Sequence, residues 1–102
     1  MVLIEILLPL NDNLGNPFPR EVYKHLQEQL TEKFGGVTAY TRSPASGTWN
    51  DEAGATRHDE VVLFEIMAET LDAAFWQTLK GKLADQFEQD DVIVRATEIT
   101  CL

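Results

Sequence analysis

The chain has 102 residues, of which 44% are hydrophobic and 25% are charged, and its formal net charge at pH 7 is −9. This length favours a single domain, residues 1–102, with a modest core. The acidic balance, with only eight scattered Lys and Arg residues, argues against nucleic acid as the main partner because phosphate backbones would repel the chain.

The first ten residues, MVLIEILLPL, are apolar and partly β-branched, which predicts a strand buried on both faces. They lack the basic residues that begin a signal peptide, and Glu5 interrupts the apolar run. No stretch approaches the roughly 20 apolar residues that a membrane span needs. Cys101 is the single cysteine, so we expect no internal disulfide and no cysteine metal cluster. These features predict a cytoplasmic protein without a membrane partner.

The first helix is predicted between a segment of turn formers, residues 11–17, and the pair Gly35-Gly36. Pro19 suits the first turn, where its missing N–H costs nothing, and glycine tolerates the left-handed conformation that ends a helix. An apolar residue recurs at every fourth position of the helix: Val22, Leu26, Leu30 and Phe34.

The second half of the chain repeats this alternation of strand and helix. Residues 37–42 predict a second strand, residues 43–57 a long loop with Pro44, Gly47 and Gly54, and residues 60–69 a third strand. Thr70 is a candidate cap for a second helix, and residues 92–100 predict the last strand. The apolar stripe of the second helix consists of Phe75, Leu79, Leu83 and Phe87.

The predicted element order is βαββαβ, which is typical of an α+β, ferredoxin-like domain. Right-handed crossovers then give a four-stranded antiparallel sheet in the order 4-1-3-2, with both helices on one face. Alternation along each strand assigns one set of side chains to the helices: Val2, Ile4, Ile6, Leu8, Val37, Ala39, Val62, Phe64, Ile66, Ala68, Val92, Val94 and Ala96.

The opposite face of the sheet, called here the open face, is predicted to be mostly apolar, which usually marks an interaction surface. In the order 4-1-3-2 its polar side chains form a row: Arg95, Glu5, Glu65, then Tyr40 or Arg42. Two interpretations remain open. The row is either an ion-pair network buried at an interface, or the polar end of a ligand pocket. The apolar members of the open face are Leu3, Leu7, Val61, Leu63, Met67 and Ile93.

Three sequence patterns support a resemblance that spans nearly the whole chain: LLPLxDNxG near the start, FGGVTAYxRxPAxGxW in the middle, and FEIM before the second helix. With them the chain resembles a group of small uncharacterised bacterial proteins. At the level of fold it resembles the dimeric α+β barrel proteins, which include small monooxygenases, isomerases, mutarotases and relatives of chlorite dismutase. The resemblance implies a homodimer with two sheets face to face, and it carries no assigned activity.

Candidates for chemistry are few. His58 and Glu65 are the candidate catalytic residues; His58 is either a general base or a solvated histidine. His25 is expected at the surface. Trp49 in the long loop either covers a pocket or partner, or folds back on its own hairpin. No metal or cofactor is predicted. The candidate ligand-binding residues are Glu5, Tyr40, Arg42, Trp49, Glu65 and Arg95.

Two classes of function fit these features. The protein either binds or converts a small organic ligand on the open face, or it is a non-catalytic interaction or regulatory module whose open face serves only dimerisation. The sequence leaves open whether it is an enzyme.

Overall fold

A computed structural model describes residues 1–39, 45–50 and 56–102, and within 45–50 and 56–60 it describes the backbone. It has two helices and five strands: β1 Val2–Pro9, α1 Arg20–Phe34, β2 Thr38–Ala39, β3 Ala45–Asn50, β4 Thr56–Ala68, α2 Ala73–Gln86 and β5 Ile93–Glu98. All the strand pairs are antiparallel and belong to one sheet with the order β2-β4-β1-β5. This is the predicted α+β, ferredoxin-like topology, and the prediction is confirmed.

The long loop predicted over residues 43–57 is wrong for its described part. Residues 45–50 form β3, which pairs with the first half of β4, and β4 begins at Thr56. β4 pairs with β1 along one edge, so β2 and β3 both lie on its other edge. β3 combines Ala45, Gly47 and Asn50, residue types that are depleted in strands, with the strand formers Thr48 and Trp49. Cross-strand hydrogen bonds to β4 satisfy the backbone groups of β3. The sequence of residues 45–50 alone does not show that β4 lies beside them.

The core lies between the sheet and the two helices. The strand side chains assigned to the helix side of β1 and β4 are buried, as predicted, except Val2, which is partly buried. Tyr23 and Trp76 are also buried, although neither belongs to the predicted stripes. The Trp76 ring stacks on Phe34 at 5.2 Å between centroids. The buried core consists of Ile4, Ile6, Leu8, Tyr23, Leu26, Leu30, Val62, Phe64, Ile66, Ala68, Trp76, Leu79, Leu83, Phe87 and Val92.

The helix ends show one confirmed and one wrong prediction. Gly35 follows α1 in the left-handed conformation, with φ 82°, and its N–H donates to the Thr31 carbonyl at 2.8 Å. The N-cap of α2 is Asp72, whose carboxylate accepts a hydrogen bond from the Phe75 N–H at 3.2 Å. Thr70 lies two residues earlier and is not the cap. Neither α1 nor α2, the helices of the described ranges, is long and apolar enough to cross a membrane.

Candidate functional site

The open face of the sheet is apolar, as strand alternation predicts. Its side chains on β1 and β4 are partly exposed, and Met67 is 56% exposed. Ile93 on β5 is exposed too. Ala96 pairs with the buried Ile4, so it lies on the helix side as predicted, but it is exposed because it is on the edge strand β5. A contiguous apolar surface of this kind is typical of a face that binds something.

The charged row predicted on the open face is present over three strands. Glu5 of β1 lies directly opposite Glu65 of β4 on one side and Arg95 of β5 on the other. The Arg95 Nε donates to the Glu5 Oε1 at 3.1 Å. The Glu5 side chain is 18% exposed and that of Arg95 is 55% exposed. Thr38 of β2 lies opposite Glu65 and forms the fourth position of the row.

The charges of this row do not balance. Two like charges directly opposite each other on adjacent strands repel, and Arg95 neutralises only one carboxylate. Among the side chains that the structure describes, Glu65 makes no ion pair or hydrogen bond. Glu65 is nevertheless half-buried. The centre of the open face is therefore a place where a cation or a hydrogen-bond donor would be stabilised.

A groove of about 530 Å³ lies beside Glu65 at one end of the open face. Glu65 is the only charged residue in its lining, within the described ranges. The other residues supply apolar side chains, backbone, and the Thr38 hydroxyl. The groove is lined by Leu3, Phe34, Gly35, Gly36, Val37, Thr38, Glu65 and Met67. An apolar groove with one or two polar groups is the usual form of a small-molecule site.

A larger hollow of about 840 Å³ lies elsewhere, beside the first turns of α1. Its most buried polar side chain, Tyr23, already donates its hydroxyl to the Pro9 carbonyl at 2.6 Å. Burial raises the pKa of Tyr23 to about 12, so this phenol stays neutral. The remaining polar groups, among them Arg20, Glu21 and Lys24, are exposed and of mixed sign. The open-face groove is therefore the stronger candidate site.

The structure does not bring all the predicted site residues together. Glu5, Glu65 and Arg95 are neighbours, whereas Tyr40 and Arg42 lie outside the described residues, as does the side chain of Trp49. The backbone of His58 pairs with that of Thr48 inside the β3–β4 hairpin. The structure describes only the backbone of His58 and not its side chain.

The two catalytic candidates do not share a site. His58 and Glu65 are seven residues apart on β4, which corresponds to about 23 Å along an extended strand. They therefore cannot act on one reacting atom. His25 is exposed on α1, as expected.

The sequence patterns do not predict every residue that lines the groove. Gly35 and Gly36 were assigned only as the end of a helix, yet their backbone lines the groove. The sequence does contain a pattern that predicts this. Val37 and Thr38 directly follow the two glycines, and a strand that starts there places the glycines at the edge of the sheet. Within the described residues, no group of three or more His, Cys, Asp or Glu side chains is arranged to hold a metal ion.

Comparison with known proteins adds one structural relative. No protein-family model and no curated protein matches the sequence. The chain is similar to the solved structure of a phage SAM lyase in complex with S-methyl-5'-thioadenosine, with a TM-score of 0.63 and 19% identity. The match covers 95% of this chain and 80% of that one. Similarity at this identity shows a shared fold and supports the α+β, ferredoxin-like part of the resemblance; the dimeric α+β barrel arrangement stays a prediction. The resemblance to a group of bacterial proteins stays a prediction.

Proposed function

We propose that the protein binds a small organic cation in the groove beside Glu65. The observation that carries the proposal is the position of this carboxylate: it is half-buried, it is the one charged group among the described residues that line the groove, and it faces a second carboxylate across the strands. A ligand with a positive centre and an apolar body would complement both features.

Each part of the groove has a role in this proposal. Glu65 would pair with the positive centre, while Leu3, Val37 and Met67 contact the apolar body. The Thr38 hydroxyl, opposite Glu65, would donate to or accept from a neighbouring polar group. Hydrogen bonds to a charged group contribute about 1.5–3 kcal/mol, which corresponds to roughly ten- to a hundredfold in affinity. Glu65 is also the one catalytic candidate that lines the groove.

The phage relative supports the ligand class. That enzyme is a lyase named for SAM, a sulfonium cation, and its structure holds S-methyl-5'-thioadenosine, which is neutral. Both compounds contain a methylated 5'-thioadenosine unit, but SAM also carries an aminocarboxypropyl group on its positively charged sulfur. Removing the charge of Glu65 and measuring the effect on each compound therefore tests whether a groove in the same fold selects for positive charge.

We expect the chain to bind SAM more tightly than S-methyl-5'-thioadenosine in a calorimetric titration. Glu65→Gln should weaken SAM binding by at least tenfold and leave the neutral compound little changed, because the substitution removes charge and keeps shape. Glu69→Gln is the matched control, since Glu69 is exposed and lies outside the groove lining.

The same design extends to a thermal-shift panel of aliphatic and aromatic ammonium and sulfonium compounds with neutral counterparts. If no cation in the panel outperforms its counterpart, or if Glu69→Gln matches the effect of Glu65→Gln, the proposed cation site is wrong.

A second candidate function is a non-catalytic homodimer module, in which the open faces of two copies pack together. The exposed apolar side chains Met67 and Ile93 on that face favour it. In such a dimer the pair of Arg95 and Glu5 would be enclosed between two sheets and the groove would be filled by the partner. The two functions differ in their outcome, because a filled groove binds no cation.

A further inference from the structure

Three sulfur atoms meet at the end of the open face. The thiol of Cys101 lies 3.3 Å from the Met1 Sδ and 3.8 Å from the Met67 Sδ. These residues come from three distant parts of the chain. The register of β1 with β4 places Leu3 opposite Met67, and the Ile99 N–H donates to the Met1 carbonyl at 3.0 Å, which holds the C-terminal segment beside the start of β1.

The chemistry of this cluster is soft. A thiol has one proton to donate, so it can satisfy only one of the two thioethers within its reach. Thiolate and thioether sulfurs together prefer Cu(I), whereas carboxylates and water prefer harder ions. Metal–sulfur bonds of about 2.3 Å place three sulfurs in a trigonal arrangement about 4 Å apart. The two separations from the Cys101 sulfur, 3.3 Å and 3.8 Å, are within about 1 Å of that value. The Met1 and Met67 side chains are exposed and can rotate to complete the arrangement.

We propose that Met1, Met67 and Cys101 form a site for a monovalent soft cation, Cu(I) in particular. Binding would form one Cu–thiolate and two Cu–thioether bonds, and the thiol proton would pass to solvent. No electron is transferred, because copper enters as Cu(I). The side chains of Met1 and Met67 are about half exposed, at 50% and 56%, and Cys101 is exposed, so the ion has direct access. This site shares Met67 with the cation groove, whereas Met1 and Cys101 belong to the sulfur cluster and are not in the groove lining.

The test is an anaerobic titration of the full chain with Cu(I) in competition with bicinchoninate, after intact mass confirms that Met1 is retained. We expect one Cu(I) per chain with release of about one proton. Met67→Leu and Cys101→Ser should each weaken binding by at least tenfold. Both replaced side chains are exposed, so the fold should survive, and circular dichroism checks it. Glu28→Gln is the control, because Glu28 is exposed on α1, away from the open face, and supplies no sulfur.

A second measurement addresses Met1, which is not open to simple substitution. In protein labelled with selenomethionine, X-ray absorption at the copper edge should show one sulfur and two selenium neighbours. Failure to compete with bicinchoninate, binding that survives Met67→Leu, or one Cu(I) shared between two chains would each overturn the proposal. None of these results bears on whether Glu65 binds a cation, so the two proposals fail separately.

Discussion

Tyr23 connects α1 to the end of β1 through a hydrogen bond. Its hydroxyl donates to the Pro9 carbonyl at 2.6 Å, and its ring packs 5.5 Å from that of Phe87. The ring is buried, and burial raises the pKa of its phenol to about 12. The fold therefore depends on this phenol remaining protonated.

We predict that Tyr23 makes the stability of the protein sensitive to alkaline pH. A tyrosine in the unfolded chain titrates near 10. Between about pH 10 and 12 the folded state keeps its proton and the unfolded state loses it, so stability falls as pH rises through this window. Below pH 10 the contribution is complete. Tyr23→Phe should lower the free energy of unfolding by about 1 kcal/mol at neutral pH through the lost hydrogen bond.

Urea denaturation of both proteins from neutral to alkaline pH provides the measurement. The advantage of the wild type over Tyr23→Phe should shrink above pH 10 and then reverse, because the phenylalanine variant has no phenol to ionise at this position. Tyr40 is present in both proteins and cancels in the comparison. A difference that stays constant with pH would contradict the assigned role of burial.

At the scale of elements, the beginning of α2 shows how a cap is chosen. Thr70 and Asp72 are both residue types that cap helices. The structure selects Asp72, because α2 begins at Ala73 and the Asp72 carboxylate reaches the Phe75 N–H at 3.2 Å. Which of the two residues caps α2 depends on where the first turn of the helix starts after β4. The packing of Trp76 and Leu79 into the core fixes that starting point.

We predict that Asp72→Ala lowers the free energy of unfolding by about 1 kcal/mol, within the usual range of about 0.5–2 kcal/mol for a lost N-cap. Thr70→Ala is the matched control and should change it by less than about 0.5 kcal/mol, since Thr70 is exposed. The midpoints of chemical denaturation measure both values. Equal losses, or a larger loss for Thr70→Ala, would show that the helix begins earlier.

At the scale of the whole molecule, the open face of the sheet is the surface through which two copies of the chain could pack. The helices cover one side of the sheet, and the other side leaves partly exposed apolar residues around the pair of Glu5 and Arg95. In a single chain this pair is half exposed, and exposed ion pairs contribute at most about 1 kcal/mol. Between two packed sheets it would be buried, where breaking one partner costs about 3–5 kcal/mol.

A homodimer through the open face, the alternative to the cation groove, predicts that light scattering after size exclusion at micromolar concentration gives about twice the 11.5 kDa chain mass. Arg95→Ala should then cost several kcal/mol at concentrations where the dimer forms, and no more than about 1 kcal/mol when dilution separates the chains. Lys80→Ala is the control, because its pair with Asp91 is exposed and lies outside the sheet. A monomer at every concentration would exclude the dimer.

Much of this architecture is encoded locally. The two-residue alternation in β1 and β4 predicts which side chains are buried, because successive strand residues point to opposite faces. The four-residue stripe predicts α1, and Gly35 predicts where it ends. Both predictions succeed because each pattern depends only on residues that are close together in the sequence. The row of Arg95, Glu5 and Glu65 also follows, once the strand order is derived from connection rules.

The tertiary structure decided the features that depend on register and on contact between distant segments. Residues 45–50, which mix strand formers with glycine and asparagine, form β3 by pairing with the edge of β4 opposite to β1. The groove beside Glu65 exists because the chain after α1 returns to the sheet at Thr38. Met1, Met67 and Cys101 meet because two strand ends and the C-terminal segment converge there. Sequence periodicity describes one element at a time, whereas these sites are set by the registers that join several.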